Sequence, residues 1–227
     1  MKIEVKAYNK KNCFVTLIDN TSNFFYFYSI FKAKSRVELL RNEIYKNLPK
    51  VVIDFNDLYI YIRSGDIFTQ KNSNHKYIQP PLCFYLKVIN DYKFKQIYLI
   101  SENKNNPIIN KLLKIFPNII YKKNSLKIDI AKLVNAFNIA GGGISTFFYN
   151  ILSLNVNLHI LWLFKFNYIP FNLIIDMEII NIKNNITYFV MYSTKDYVKK
   201  MYPWRNSKIQ RDYMLNYNCT NYFFINK

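Results

Sequence analysis

The sequence predicts an α/β fold: a doubly wound, mainly parallel sheet with helices on both faces, preceded by a reduced β-rich part. Two observations carry this expectation. From residue 57 onward, short apolar runs alternate with longer amphipathic ones, the rhythm that lays strands side by side in parallel. The short runs are apolar throughout, as suits strands covered on both faces. A third observation bears on function, because clusters of glycine, hydroxyl and charged residues follow several of these runs.

The elements follow in order. The runs IEVKAY, CFVTLI and FFYFYSI, with turn chemistry in DNTSN, predict three short strands within the first thirty residues. SRVELLRNEIYKNLPK predicts a helix, with Ser35 as N-cap, Val37, Leu40, Ile44 and Leu48 at helical spacing, and Pro49 as its stop. DLYIYIR is a strand, PPLCFYLKVINDY a helix opened by prolines, and QIYLIS a strand. NPIINKLLKIF (helix), NIIYK (strand), SLKIDIAKLVNAF (helix), NIAGG (strand), STFFYNILSLN (helix) and LHILWL (strand) complete the series. ITYFVMYS adds a strand, and the segment from residue 196 to 217 reads as a helix interrupted by Pro203, with Met201, Trp204 and Met214 as its apolar anchors. The division expected is therefore residues 1–50 as a short N-terminal region, 51–195 as the main domain and 196–227 as a helical tail packed on it.

With 227 residues, 51% of them hydrophobic, the chain has the apolar surface for one sizeable core, which excludes a disordered protein. The net charge of +18 suggests an acidic partner. Its lysines are scattered in short pairs such as Lys122-Lys123 and Lys199-Lys200, which fits a solvated surface. RNP1, zinc-finger and basic-zipper patterns are lacking, so a nucleic-acid-binding module ranks last and no nucleic-acid partner is expected. Three cysteines, Cys13, Cys83 and Cys219, without CxxC spacing, read as small buried hydrophobes and not as a disulfide framework or a zinc site. Three sequons are no more than so asparagine-rich a chain produces by chance. The first residues lack the apolar core of a signal peptide, and LHILWLFKFNYIPFNLII is broken by Lys165 and Pro170. A cytoplasmic or membrane-peripheral protein without a transmembrane segment is expected, its oligomeric state undetermined.

In doubly wound sheets ligands bind beyond the carboxyl ends of the strands. Arg63-Ser64-Gly65-Asp66, Ser101-Glu102-Asn103 and Gly141-Gly142-Gly143-Ile144-Ser145-Thr146 all fall there. The glycine run holds three of the four glycines and fits neither GxGxxG nor the P-loop. It offers backbone N–H groups to a phosphate, with Ser145 and Thr146 as hydroxyl donors, while Arg63 supplies charge and Gly65 a tight turn. The plainer alternative is an Arg63–Asp66 salt bridge, Ser145 as a helix cap and glycines that only turn the chain.

YIRSGDIF is similar to the H-x-R-x-G-D motif of the fucosyltransferase-like superfamily, which includes α1,2- and α1,6-fucosyltransferases. ISE and GGGISTF resemble that family's second and third motifs, and the likeness spans roughly residues 57–162. It implies a Rossmann-like, GT-B C-terminal-type nucleotide-sugar domain, with Arg63 on the diphosphate of a GDP-sugar and Ser145 and Thr146 helping to hold it. Two departures stand out: Tyr61 occupies the place of the family's histidine, and only sixty residues precede the motif.

The resemblance implies an inverting transfer of a sugar, most simply fucose, from GDP-fucose or a related GDP-sugar to a glycan acceptor, with no further cofactor. No Asp-x-Asp sequence stands ready for Mg²⁺, so Arg63, Gly65, Ser101, Gly142, Gly143, Ser145 and Thr146 are expected to hold the donor without a metal. The catalytic set is Arg63 with Asp66 and Glu102, Asp66 being the first choice as base and Glu102 a base or a ribose ligand. His75 reads as an exposed loop residue and His159 as a core histidine. The loop 69–79 reads as a lid or a plain connection, and Trp204 and Arg205 as tail residues. The alternative function is a catalytically inactive nucleotide-sugar or glycan-binding remnant.

Overall fold

The computed structural model describes residues 3–4, 16–17, 34–69, 76–166, 186–219 and 225–226. Strands β1 (Ile3–Glu4) and β2 (Thr16–Leu17) pair antiparallel as a separate two-stranded sheet. The third predicted strand of this region, FFYFYSI, lies outside the described residues. Helix α1 (Lys34–Asn47) stops before Pro49 as expected, but it begins a residue ahead of Ser35, which is therefore inside the helix and not its cap.

The main sheet is built from β3 (Leu58–Tyr61), β4 (Ile97–Ile100), β5 (Ile120–Tyr121), β6 (Asn138–Gly142), β7 (Ile160–Lys165) and β8 (Thr187–Tyr192), all parallel. Its order is β5-β4-β3-β6-β7-β8, with β9 (Ile225–Asn226) added antiparallel beside β8. The helices are α2 (Leu82–Asp91), α3 (Pro107–Ile115), α4 (Leu126–Asn135), α5 (Thr146–Leu154), α6 (Lys195–Met201) and α7 (Lys208–Asn216). The parallel α/β architecture is thus as the alternation predicts, and β9 is an addition to it.

Both faces of the sheet are covered. Because side chains alternate along a strand, Leu58, Ile60 and Ile62 join one core with α2, α3, α6 and α7, whereas Tyr59 and Tyr61 join the other with α1, α4 and α5. Full burial of each such apolar side chain is worth about 1.5–3 kcal/mol, so two continuous cores account for the sheet's cohesion. Arg41 of α1 donates to the carbonyls of Ser153 (3.1 Å) and Leu154 (3.2 Å), and the Tyr45 hydroxyl donates to Val134 O at 2.6 Å. The helix thereby satisfies carbonyls at the carboxyl ends of α5 and α4.

The tail behaves as an integral part of the first core. Met201, Met214 and Trp204 are buried, and Trp204 Nε1 donates to Ile67 O at 3.0 Å. A capping box of Ser207 and Gln210 starts α7. Cys83 of α2 and Cys219, just after α7, are joined by a disulfide, with Cα atoms 5.7 Å apart and a sequence separation of 136. The expectation of unpaired cysteines is corrected here: a pair so distant along the chain leaves no spacing signal, and only the return of α7 over α2 brings it together. His159 is corrected too. It precedes β7 at the amino end of the sheet, where it is exposed and meets the Phe55 ring edge-on at 5.1 Å. No helix among the described residues is long and apolar enough to cross a membrane.

Candidate functional site

Crossovers from β3 run outward through β4 to β5, and those from β6 run the other way through β7 to β8. Between β3 and β6 the winding reverses, and ligands of such sheets bind at the carboxyl ends of the strands beside this point. There a small cleft, open to solvent, is lined by Tyr61, Arg63, Ile100, Ser101, Glu102, Leu126, Asp129 and Phe147.

Arg63 lies in this cleft two residues past the end of β3, its side chain 12% exposed. Nη2 donates to Asp66 Oδ1 at 2.8 Å, Nη1 stands 3.5 Å from Glu102 Oε1, and the guanidinium lies 5.6 Å from the centroid of the Tyr77 ring. Its Nε is buried without a hydrogen-bond partner. Burial works against the charge, but Tyr61, Glu102 and Asp66 more than restore it, so the guanidinium pKa is raised and the cation is held. The plainer reading of Arg63 and Asp66, an ion pair, is thus present as geometry.

Glu102 follows β4 and leans over Gly65, where a Cβ would collide with its carboxyl. Gly65 has φ +67°, which only glycine adopts without strain. Burial raises the pKa of Glu102, Arg63 lowers it, and the net shift is upward. Asp129, on α4, is raised for the same first reason, with Asn124 Nδ2 donating to it at 2.9 Å and Lys132 opposing the shift. The cleft thus holds one buried cation and two carboxylates biased toward their protonated forms.

The turn that carries Arg63 is fixed from below. Ser64 Oγ donates to Asn103 Oδ1 (2.7 Å) and accepts from Asn106 N (2.9 Å), while Asn106 Nδ2 donates to Arg63 O (2.9 Å). Ser101 Oγ donates to Asn103 O at 3.1 Å. These short polar side chains occupy one another, and so lock the end of β3 to the end of β4.

Tyr61 is 3% exposed and stacks on Phe148, with centroids 5.1 Å apart and planes 6° off parallel. Its hydroxyl stands 3.2 Å from Ser145 Oγ, which also accepts from Phe148 N as the N-cap of α5. Burial pushes the phenol up to about 12, so it stays neutral at physiological pH. The glycine run is equally enclosed. Gly143, at φ +79°, lies under the Ile78–Pro80 segment, where an added Cβ would meet Pro80 Cδ at 3.0 Å and Ile78 O at 3.1 Å.

Of the residues expected to form the site, Arg63, Ser101 and Glu102 line the cleft together. Asp66 is half-exposed behind Arg63, Gly65 supports Glu102, and Gly142, Gly143 and Ser145 are buried beside the cleft. The Thr146 side chain, His75 and residues 70–75 of the expected lid lie outside the described residues. Asp129, Leu126, Ile100 and Phe147 were not anticipated. One signal could have found Asp129, since it is the only acidic residue between Glu102 and Asp176. Among the described residues no three His, Cys, Asp or Glu side chains converge as a metal ligand set.

Set against family models, curated proteins and solved structures, the chain matches none of them.

Proposed function

We propose that the chain is a metal-independent, inverting glycosyltransferase that takes its sugar, most simply fucose, from a GDP-sugar and passes it to a glycan hydroxyl. The observation that carries this reading is Arg63, a cation 12% exposed in a cleft at the switch point, with a buried Nε that has no partner. A guanidinium so placed is suited to a diphosphate, which it would meet with two parallel donors. The resemblance of YIRSGDIF, ISE and GGGISTF to the fucosyltransferase-like superfamily supports GDP-fucose as the donor and a GT-B type arrangement.

In this reading Asp129 receives the guanine. A carboxylate accepts two hydrogen bonds side by side, which is what the ring N–H and 2-amino group of guanine donate, and neither adenine nor uracil presents that pair. Leu126 and Phe147 flank the ring. Glu102 takes the acceptor proton, because its raised pKa suits a base and it faces the cleft, whereas Asp66 holds Arg63 in place. The acceptor oxygen then bonds to the anomeric carbon, the bond to the β-phosphate oxygen breaks on the opposite side, and Arg63 stabilises the charge that GDP carries away.

A second reading is a binding remnant without transferase activity. It is favoured by Tyr61, a neutral phenol committed to Ser145 in the place where the family has a histidine.

Titration calorimetry with GDP, GDP-fucose, UDP and ATP in EDTA tests both. The expected result is EDTA-resistant binding of the guanine nucleotides alone, weakened at least about tenfold in Arg63→Ala by loss of a charge-assisted pair. Asp129→Asn should weaken GDP and leave the discrimination against UDP smaller. Unchanged GDP affinity in Arg63→Ala would remove the central role assigned here. Binding without donor hydrolysis or transfer would select the second reading.

A further inference from the structure

We infer that the edge of the sheet formed by α3, β5 and the start of α4 docks on an anionic phospholipid surface, with the mouth of the cleft beside it. Residues 103–128 contain six lysines, Lys104, Lys111, Lys114, Lys122, Lys123 and Lys127, and no acidic residue. All six are exposed. Three lysines elsewhere have carboxylate partners, in Lys46–Glu43, Lys87–Asp91 and Lys95–Asp54, and among the described residues none of these six has one.

The same segment exposes apolar side chains. Ile115 and Ile120 are each 42% exposed and Leu126 is 52% exposed, three of the seven large hydrophobic residues exposed among the described ones. Among the described residues β5 is the outermost strand of its sheet and pairs only with β4, so the segment forms an edge and not a groove between elements. Lys104 lies over the Tyr121 ring, its Nζ 4.9 Å from the centroid, which ties the turn after β4 to the end of β5.

Exposed lysines interspersed with apolar side chains match a membrane interface, where phosphate headgroups take the charge and the acyl boundary takes Ile115 and Ile120. A nucleic-acid backbone would use the lysines but has no place for Ile115, Ile120 or Leu126. Leu126 also lines the cleft, so docking through this edge sets the cleft mouth at the lipid surface. The inference does not depend on what the cleft binds.

The test is co-sedimentation of the full chain with vesicles of phosphatidylcholine, with and without phosphatidylserine. Binding is expected only with phosphatidylserine and should fall with added salt. Lys122→Glu/Lys123→Glu should weaken it at least about tenfold, given the contribution of each basic residue near such a surface. Lys199→Glu/Lys200→Glu changes net charge equally and should leave it within about twofold. Circular dichroism on both variants separates loss of docking from loss of folding, and Ile115→Ser supplies an arm that leaves the charge untouched. No binding to either vesicle, or equal loss in the two double variants, overturns the proposal. Binding to RNA but not to vesicles, lost in Lys122→Glu/Lys123→Glu, also overturns it.

Discussion

Glu102 shows how one side chain can serve the cleft at a cost to the fold. Its pKa lies above the ordinary 4.5 because burial outweighs Arg63. A carboxyl raised in this way adds stability below its unfolded pKa, and the contribution is lost as pH rises through the folded value. At neutral pH the ionised group is therefore a liability. Glu102→Gln should melt no lower than the parent at pH 7, measured by thermal denaturation, while transfer falls at least about a hundredfold if Glu102 is the base. The parent's transfer rate should climb with pH through a limb placed above the usual carboxylate range. Gly65 is the companion case: Gly65→Ala sets a Cβ against the Glu102 carboxyl at φ +67° and should cost roughly 1–3 kcal/mol in urea unfolding. Little of this was legible in the sequence. Arg63 and Glu102 were found because both follow apolar runs, but the contact between Glu102 and Gly65 spans two loops.

At the level of elements, the start of α5 shows what the glycine run and Ser145 do within the fold. Ser145 fulfils the plainer reading, that of a cap, and Tyr61 of β3 shares its hydroxyl. Tyr61→Phe removes that bond but keeps the stack on Phe148, so it should cost about 1 kcal/mol and leave GDP affinity unchanged. Ser145→Ala should cost a similar amount, about 1 kcal/mol, through the lost cap. A double variant that costs no more than Ser145→Ala alone would show that the Tyr61 hydroxyl acts only through Ser145. The strands and helices from residue 57 onward were readable because burial on both faces leaves near-continuous apolar runs and because Pro107 and Pro81 mark helix starts. What covers the glycines was not readable, since Ile78–Pro80 arrives from a different crossover and carries no pattern that announces it.

For the molecule as a whole, the disulfide binds the tail to the domain. Closing a loop of 136 residues should contribute about 2–4 kcal/mol, which Cys83→Ser or reduction should remove in urea unfolding. Thiol titration of the unfolded, unreduced chain should find only Cys13 free, whereas three reactive thiols would show that the pair does not form. The parallel architecture was legible from rhythm alone, but the strand order was not, because a crossover to the left and one to the right look alike in sequence. That order has a further consequence. β3 is laid down first and ends in the middle, with β4 and β5 growing to one side and β6, β7 and β8 to the other. The cleft is therefore a seam between an early half of the chain and a late one. Any occupant that touches Arg63 and Phe147 staples the two halves, so it should slow amide hydrogen exchange on both sides of the seam at once, including in strands it never contacts.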